Sequence, residues 1–305
     1  MTPPVPAPLG TVAHYTLLER LDRSGPGELY RARDTHLGRT VAVRLLPADT
    51  PADAASRDAL VAQARALAPL SHPNITTLFG AGEHGGCIYF AFEFVKGQSL
   101  RAEMAGREMN PRRALELAIH VADAVAEAHA AGFMHGGLSP DSIMVTSKGH
   151  AKIPTFHLAS QAGFAADVGE AALVDYGSPE EARGEAADER SDVHSIAAVL
   201  YEMITTRRPP LRGASAPSAW NPRVLPELDR VLLKALAPNP LSRFQGAAIL
   251  AGELRGVAAL VEEQGVEDED EERVSAASSR LTALVAAFIL LLLVAAAVAG
   301  WLTMS

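Results

Sequence analysis

Five short stretches of this 305-residue chain carry side chains whose types and spacing could handle charge, protons or phosphate. They read YTLLERLDRSGPGELYRARD (15–34), VAVR (41–44), CIYFAFEFV (87–95), FMHGGLSPDSIMV (133–145) and AKIPTFHLAS (151–160). Gly25 and Gly27 lie in a turn, where glycine lets backbone amides approach a phosphate closely, although Pro26 removes one such donor. Arg44 ends an alternating apolar run and brings a permanent positive charge. Ser142 and Thr155 offer neutral hydroxyls, poor ligands for a magnesium ion that favours carboxylate and phosphate oxygens. His157 has no histidine or cysteine partner nearby, so a metal centre built on it is not expected. The nearest carboxylates are Asp141 and Glu93.

The elements that must position these groups show their own patterns. Val41–Arg44 and Cys87–Val95 alternate as strands do. Asn110 to Gly132 has the marks of a strong helix. Asn110 can cap it, Pro111 suits its first turn, Leu117, Val121, Val125 and Ala128 form an apolar stripe, and Gly132 can close it. On that helix His120 and His129 read as ordinary surface or core residues.

Composition narrows the function classes. Hydrophobic residues make up 48%, ample for a core. The formal charge is −9, but eight acids fall between Glu262 and Glu272, so the rest of the chain is near neutral. Without a basic face, nucleic acid is not an expected partner. The lone Cys87 allows no intramolecular disulfide, which fits a reducing compartment. Leu281–Leu302 is uncharged and apolar over about 22 residues, the length that crosses a bilayer, with Trp301 at an interfacial position. Arg273 and Arg280 precede this stretch and no charge follows it, which puts the N-terminal side in the cytoplasm. The N-terminus lacks a charged segment leading into an apolar core, so no signal peptide is expected.

Taken in order, the motifs resemble those of the eukaryotic-like (bacterial-type) serine/threonine protein kinases. FMHGGLSPDSIMV is similar to the family's catalytic loop V-H-R-D-L-K-P-E-N-I-L-V, with His135, Leu138, Pro140, Ile143 and Val145 in place. Gly136 stands for the Arg, Gly137 for the catalytic Asp, Ser139 for the Lys and Ser142 for the metal-binding Asn. In the glycine-rich hairpin Leu21, Gly27 and Tyr30 keep the register, while Asp22 and Ser24 replace two glycines and Leu29 the Val. VAVR matches V-A-I-K with Arg44 for the Lys, and Gln63 falls where the paired helical Glu belongs. AKIPTFHLAS matches K-I-x-D-F-G-L-A with Thr155 for the Asp and His157 for the Gly.

The resemblance implies further roles. Phe92 is the gatekeeper, Glu93 to Val95 face an adenine, and Gly25, Gly27, Leu29, Ala42, Arg44 and Met144 complete a residual nucleotide pocket. Leu67, Leu78, His135 and Phe156 fill an internal spine. Glu180 pairs with Arg243, and Asp192 starts a central helix and braces the catalytic loop. The activation loop, Leu158 to Tyr176, has Leu173 at the aligned phosphosite, so activation by loop phosphorylation is not expected.

The expected architecture is α+β and two-lobed: a β-rich N-lobe over 15–95 and a helical C-lobe over 96–256. A Pro-rich disordered arm (1–14) precedes it; an acidic linker (257–280) and a transmembrane helix (281–302) follow. The emptied catalytic positions imply a pseudokinase, an inactive scaffold or regulatory module at the cytoplasmic face of a membrane. It would bind signalling proteins, an active kinase among them, with no cofactor beyond weak, metal-independent ATP binding. Two alternatives stay open: a divergent active kinase or nucleotide transferase, and an ATP sensor without turnover that uses Arg44 for phosphate.

Overall fold

Alternating apolar residues give an antiparallel sheet because each strand buries one face and pairs its backbone on both edges. A computed structural model describes residues 9–22, 27–46, 54–153 and 175–264. Six strands form the first sheet: β1 (Gly10–Val12), β2 (Tyr15–Asp22), β3 (Glu28–Asp34), β4 (Thr40–Leu46), β5 (Leu78–His84) and β6 (Cys87–Glu93), in spatial order β1-β2-β3-β4-β6-β5. Helix α1 (Ala54–Leu67) packs on β5. Two of its arginines fasten it there. Arg57, itself buried, donates to the Gly86 carbonyl and pairs with Glu83 at 3.1 Å. Two turns later Arg65 donates to the Ala81 carbonyl at 3.2 and 3.3 Å.

The second lobe is mainly helical: α2 (Leu100–Met104), α3 (Pro111–Ala130), α4 (Pro179–Ala182), α5 (Glu189–Thr205), α6 (Pro226–Ala235) and α7 (247–264). A small sheet, β7 (Gly97–Ser99), β8 (Met144–Thr146) and β9 (Ala151–Lys152), lies beside them. Helix α3 follows the cap signals: the Asn110 side chain accepts the Arg112 N–H, and its buried face holds Leu117, Val121, Val125 and Ala128. Helix α5 is buried along nearly its whole length, from Ser191 to Thr205. It is therefore the core element of this lobe, against which α3 packs. The two-lobed kinase-like architecture expected from the sequence is what the chain adopts.

Two boundaries differ from expectation. Gly10–Val12 adds an edge strand to β2, with Gly10 opposite Leu17 and Val12 opposite Tyr15, so the ordered fold starts inside the expected arm. A three-residue strand is too short to show an alternating pattern, and backbone pairing plus burial of Val12 suffices. Helix α7 runs to 264, into the expected linker, because Glu262 and Glu263 sit on its exposed side. Among the described residues no helix is long and apolar enough to cross a membrane; Leu281–Leu302 lies outside them.

Gly27 enters β3 at φ +79°, and a Cβ there would lie 1.8 Å from the Leu45 carbonyl oxygen. Left-handed geometry alone costs a side chain about 1–2 kcal/mol. Gly27→Ala is expected to lower stability by at least that much in urea unfolding, with the far-UV spectrum retained.

Candidate active site

The loop 133–145 takes its shape from a carboxylate outside it. Asp192, in the first turn of α5 and 1% exposed, accepts the backbone N–H of His135 on Oδ2 and of Gly136 on Oδ1, each at 2.8 Å. His129, near the end of α3, meets Oδ2 through Nε2 at 2.7 Å. Burial opposes the charge on Asp192, yet the bond from His129 and the two loop N–H groups hold its carboxyl below the usual range. The position in the first helical turn also favours an anion. Gly136 sits at φ +64°, a conformation that glycine adopts without strain.

Within the loop, the residues at the family's Lys and Asn positions bond to each other. Ser142 Oγ accepts the Ser139 N–H at 2.9 Å and donates to the Ser139 carbonyl at 3.0 Å. The Ser142 N–H donates to Ser139 Oγ at 3.3 Å. Gly137 adds no side chain. The neighbouring Asp141 is exposed and pairs with Arg101 at 3.3 Å. Arg101 also pairs with Glu202 at 2.8 Å and donates to the Tyr176 hydroxyl. Its backbone N–H donates to the Pro140 carbonyl at 3.0 Å, so α2 is tied to the loop.

The N-lobe wall comes from the strand register. Leu29, Arg44 and Phe90 face one another across β3, β4 and β6, and Ala42 faces Phe92 in the next row. Phe92 pairs with Leu78 on β5. Thus Leu29, Ala42, Arg44 and Phe92 share one face of the sheet. Gln63 is half-buried on α1, as is Val95 after β6. Met144 lies on β8, opposite Lys152 of β9. Leu67, Leu78 and His135 are buried. Gly25, Thr155 and Phe156 lie outside the described residues, as do His157 and Leu173.

Among the described residues the side chains do not form a site fitted to magnesium. Ser142 spends its hydroxyl on Ser139, and among the described residues no three His, Cys, Asp or Glu side chains converge. No step is therefore routed through a protein-held metal.

Glu180 and Arg243 meet as a buried bidentate pair, Nη1–Oε1 at 2.6 Å and Nη2–Oε2 at 2.7 Å. Ser191 donates to the same carboxylate at 2.7 Å, and Arg243 Nε donates to the Ala237 carbonyl at 2.7 Å. Burial raises the Glu180 carboxyl, but Arg243 and Ser191 outweigh it and bring it down to about 2. Burial pushes the adjacent His194 down to about 4, helped by Arg243.

Sequence reasoning missed His129 as a partner of Asp192, and missed the Arg101–Glu202–Tyr176 cluster. Arg101 and Glu202 are separated by 101 positions, so no local spacing could have joined them.

A β-rich lobe and a helical lobe, joined through the 93–97 segment above a loop clasped by a buried helix carboxylate, define a protein kinase domain. The protein kinase domain family matches residues 15–230, and the chain belongs to that family, in its bacterial serine/threonine branch. It is 36% identical over 260 residues to a probable serine/threonine-protein kinase of Streptomyces coelicolor, covering 76% of this chain and 38% of that one. It is likewise 36% identical over 267 residues to the serine/threonine-protein kinase PknB of Mycolicibacterium smegmatis, covering 79% and 42%. The chain thus spans about two fifths of the length of these curated relatives. The crystal structure of the Mycobacterium tuberculosis PknI kinase domain superposes with a TM-score of 0.69 at 27% identity, over 82% of this chain and 98% of that one.

These relatives correct the expectation of an inactive scaffold and of a chain that is no enzyme, because the proteins it matches are named as serine/threonine kinases. The physical reason lies in the weight given to lost side chains. Phosphoryl transfer passes through a loose transition state in which positioning and charge do most of the work, and the base that the family carries where this chain has Gly137 supplies only part.

The Glu180 carboxyl is held below its unfolded value near 4.5, so its contribution is complete above that pH and is lost as pH falls toward 2. A shift of this size corresponds to a contribution on the order of 3 kcal/mol. Glu180→Gln is expected to lose about 3–5 kcal/mol at pH 7 by leaving a buried guanidinium unmatched. Melting curves from pH 7 to pH 2 should show a flatter acid limb for the variant than for the parent.

Proposed function

We propose that the chain is a divergent serine/threonine protein kinase that transfers the terminal phosphoryl group of ATP to hydroxyls of cytoplasmic signalling proteins. The observation that carries this reading is the Asp192 clasp, which keeps loop 133–145 shaped for catalysis in a chain 36% identical to named kinases. In this reading the adenine lies between Ala42 and Met144 against the 93–95 backbone, and Arg44 faces the phosphates. ATP binding is weak and needs no protein-held metal, consistent with the inward-turned Ser142.

With Gly137 lacking a carboxylate, the acceptor proton leaves to solvent or to the transferred phosphoryl oxygens. Loss of a general base costs typically 10²–10⁴-fold, so turnover should fall that far below the ~1–100 s⁻¹ usual for kinases. The full chain incubated with γ-labelled ATP and a protein substrate is expected to place label on serine or threonine. Arg44→Ala should reduce it at least about 10-fold by removing the phosphate-facing charge, and Gly137→Asp should raise it. Absence of label above a heat-inactivated control, or label indifferent to Arg44→Ala, overturns the reading.

The reading places the domain at a membrane, anchored by Leu281–Leu302 with the C-terminus outside, supported by the length of that apolar stretch and by Arg273 and Arg280 before it. The full chain is expected in the alkaline-carbonate-resistant membrane fraction, and a chain ending at 264 in the soluble one. Release of the full chain by carbonate sinks the anchor.

A further inference from the structure

Three separate segments meet where the two lobes join. Residues 74–77 run from the α1 side into β5, Glu93 ends β6, and 151–153 carries β9. Ile75 and Ile153 form a parallel bridge: Ile153 N–H donates to the Asn74 carbonyl at 2.8 Å, and Thr76 N–H donates to the Ile153 carbonyl at 3.0 Å. The Asn74 side-chain amide adds a bond to the Ala151 carbonyl at 2.7 Å. Glu93 N–H donates to the Thr77 carbonyl at 2.9 Å, so the last residue of β6 is held to this same crossing.

A charged contact spans the crossing. Lys152 Nζ lies 2.7 Å from Glu93 Oε2, with both side chains mostly covered at 18% and 33% exposure. Lys152 also stands opposite Met144 in the β8–β9 register. A single residue therefore touches the end of β6 through its amine and sits beside the floor of the proposed adenine pocket through its strand.

We propose that Lys152 is a positioning residue: by pairing with Glu93 across the lobes it sets the distance between the 93–95 backbone and Met144, and so the width of the cleft that receives the nucleotide base. The backbone bridge at 74–76 and 153 acts as the pivot and the ion pair fixes the angle about it. A backbone bridge alone tolerates rotation about its own axis, whereas a side-chain contact displaced from that axis resists it. This function for Lys152 rests on the nucleotide-binding reading, but its mechanical part does not.

The test uses the full chain and four forms: the parent, Lys152→Met, Glu93→Gln, and the exchanged pair Glu93→Lys with Lys152→Glu. Two quantities are read, ATP affinity by calorimetry and hydrogen exchange of the Thr76 and Ile153 amides without nucleotide. Each single change is expected to weaken ATP binding about 10-fold and to speed exchange at both amides about 10-fold, with the exchanged pair returning both to within about threefold of the parent. Singles that leave exchange unchanged, or an exchanged pair no better than the singles, overturn the proposal. Should the parent bind no ATP, the nucleotide reading fails while the exchange result still decides the latch. Lys152→Met keeps the length and apolar stem of the side chain, so a loss there reports the charge and not the packing.

Discussion

Everything near the cleft depends on one buried charge. The carboxylate of Asp192 is removed from water, and such a group costs several kcal/mol unless its lone pairs are matched. Three donors match it: two consecutive backbone N–H groups of the loop and the imidazole of His129. The loop must adopt the one path that presents His135 and Gly136 together. Because the donors are main-chain groups, the clasp acts on the course of the backbone and makes no direct contact with the side chains at 136, 137, 139 and 142. That is why residues at 136, 137, 139 and 142 can depart from the family's pattern while the fold around them stays intact.

The same distinction governs how function should be weighed. Gly137 and Ser142 remove a base and a metal ligand, and a count of lost groups pointed to inactivity. The relatives point the other way, and the chemistry of phosphoryl transfer shows why such a count misleads. Contributions of groups that act together are strongly non-additive, so the removal of several costs less than their product. What persists here is placement: Arg44 on the same face as Ala42 and Phe92, and a loop held from behind.

Much of the fold was legible in the chain. Strands β4 and β6 and helix α3 followed from alternation and caps, since those signals are local and each is complete within a few residues, whereas the β2–β3 hairpin was legible only through the family's motif. Asp192, Glu180 and Arg243 were legible only through the order of family motifs, because a buried ion pair leaves no periodic trace. His129 stood on a helix as an isolated polar residue, and only the arrival of α5 beside α3 gave it a partner. Strand β1 and the extension of α7 to 264 were missed because pairing and exposure, and not composition, decided them.

The two arginines of α1 deliver a further consequence. Arg57 and Arg65 end on the carbonyl oxygens of Gly86 and Ala81, acceptors that every amino acid carries. The β5–β6 hairpin can therefore drift in sequence at Ala81, through any replacement that keeps the strand, without loosening its hold on the helix. At that contact tolerance is lopsided: position 81 can vary where Arg65 cannot, whereas the Arg57 end also depends on the side chain of Glu83.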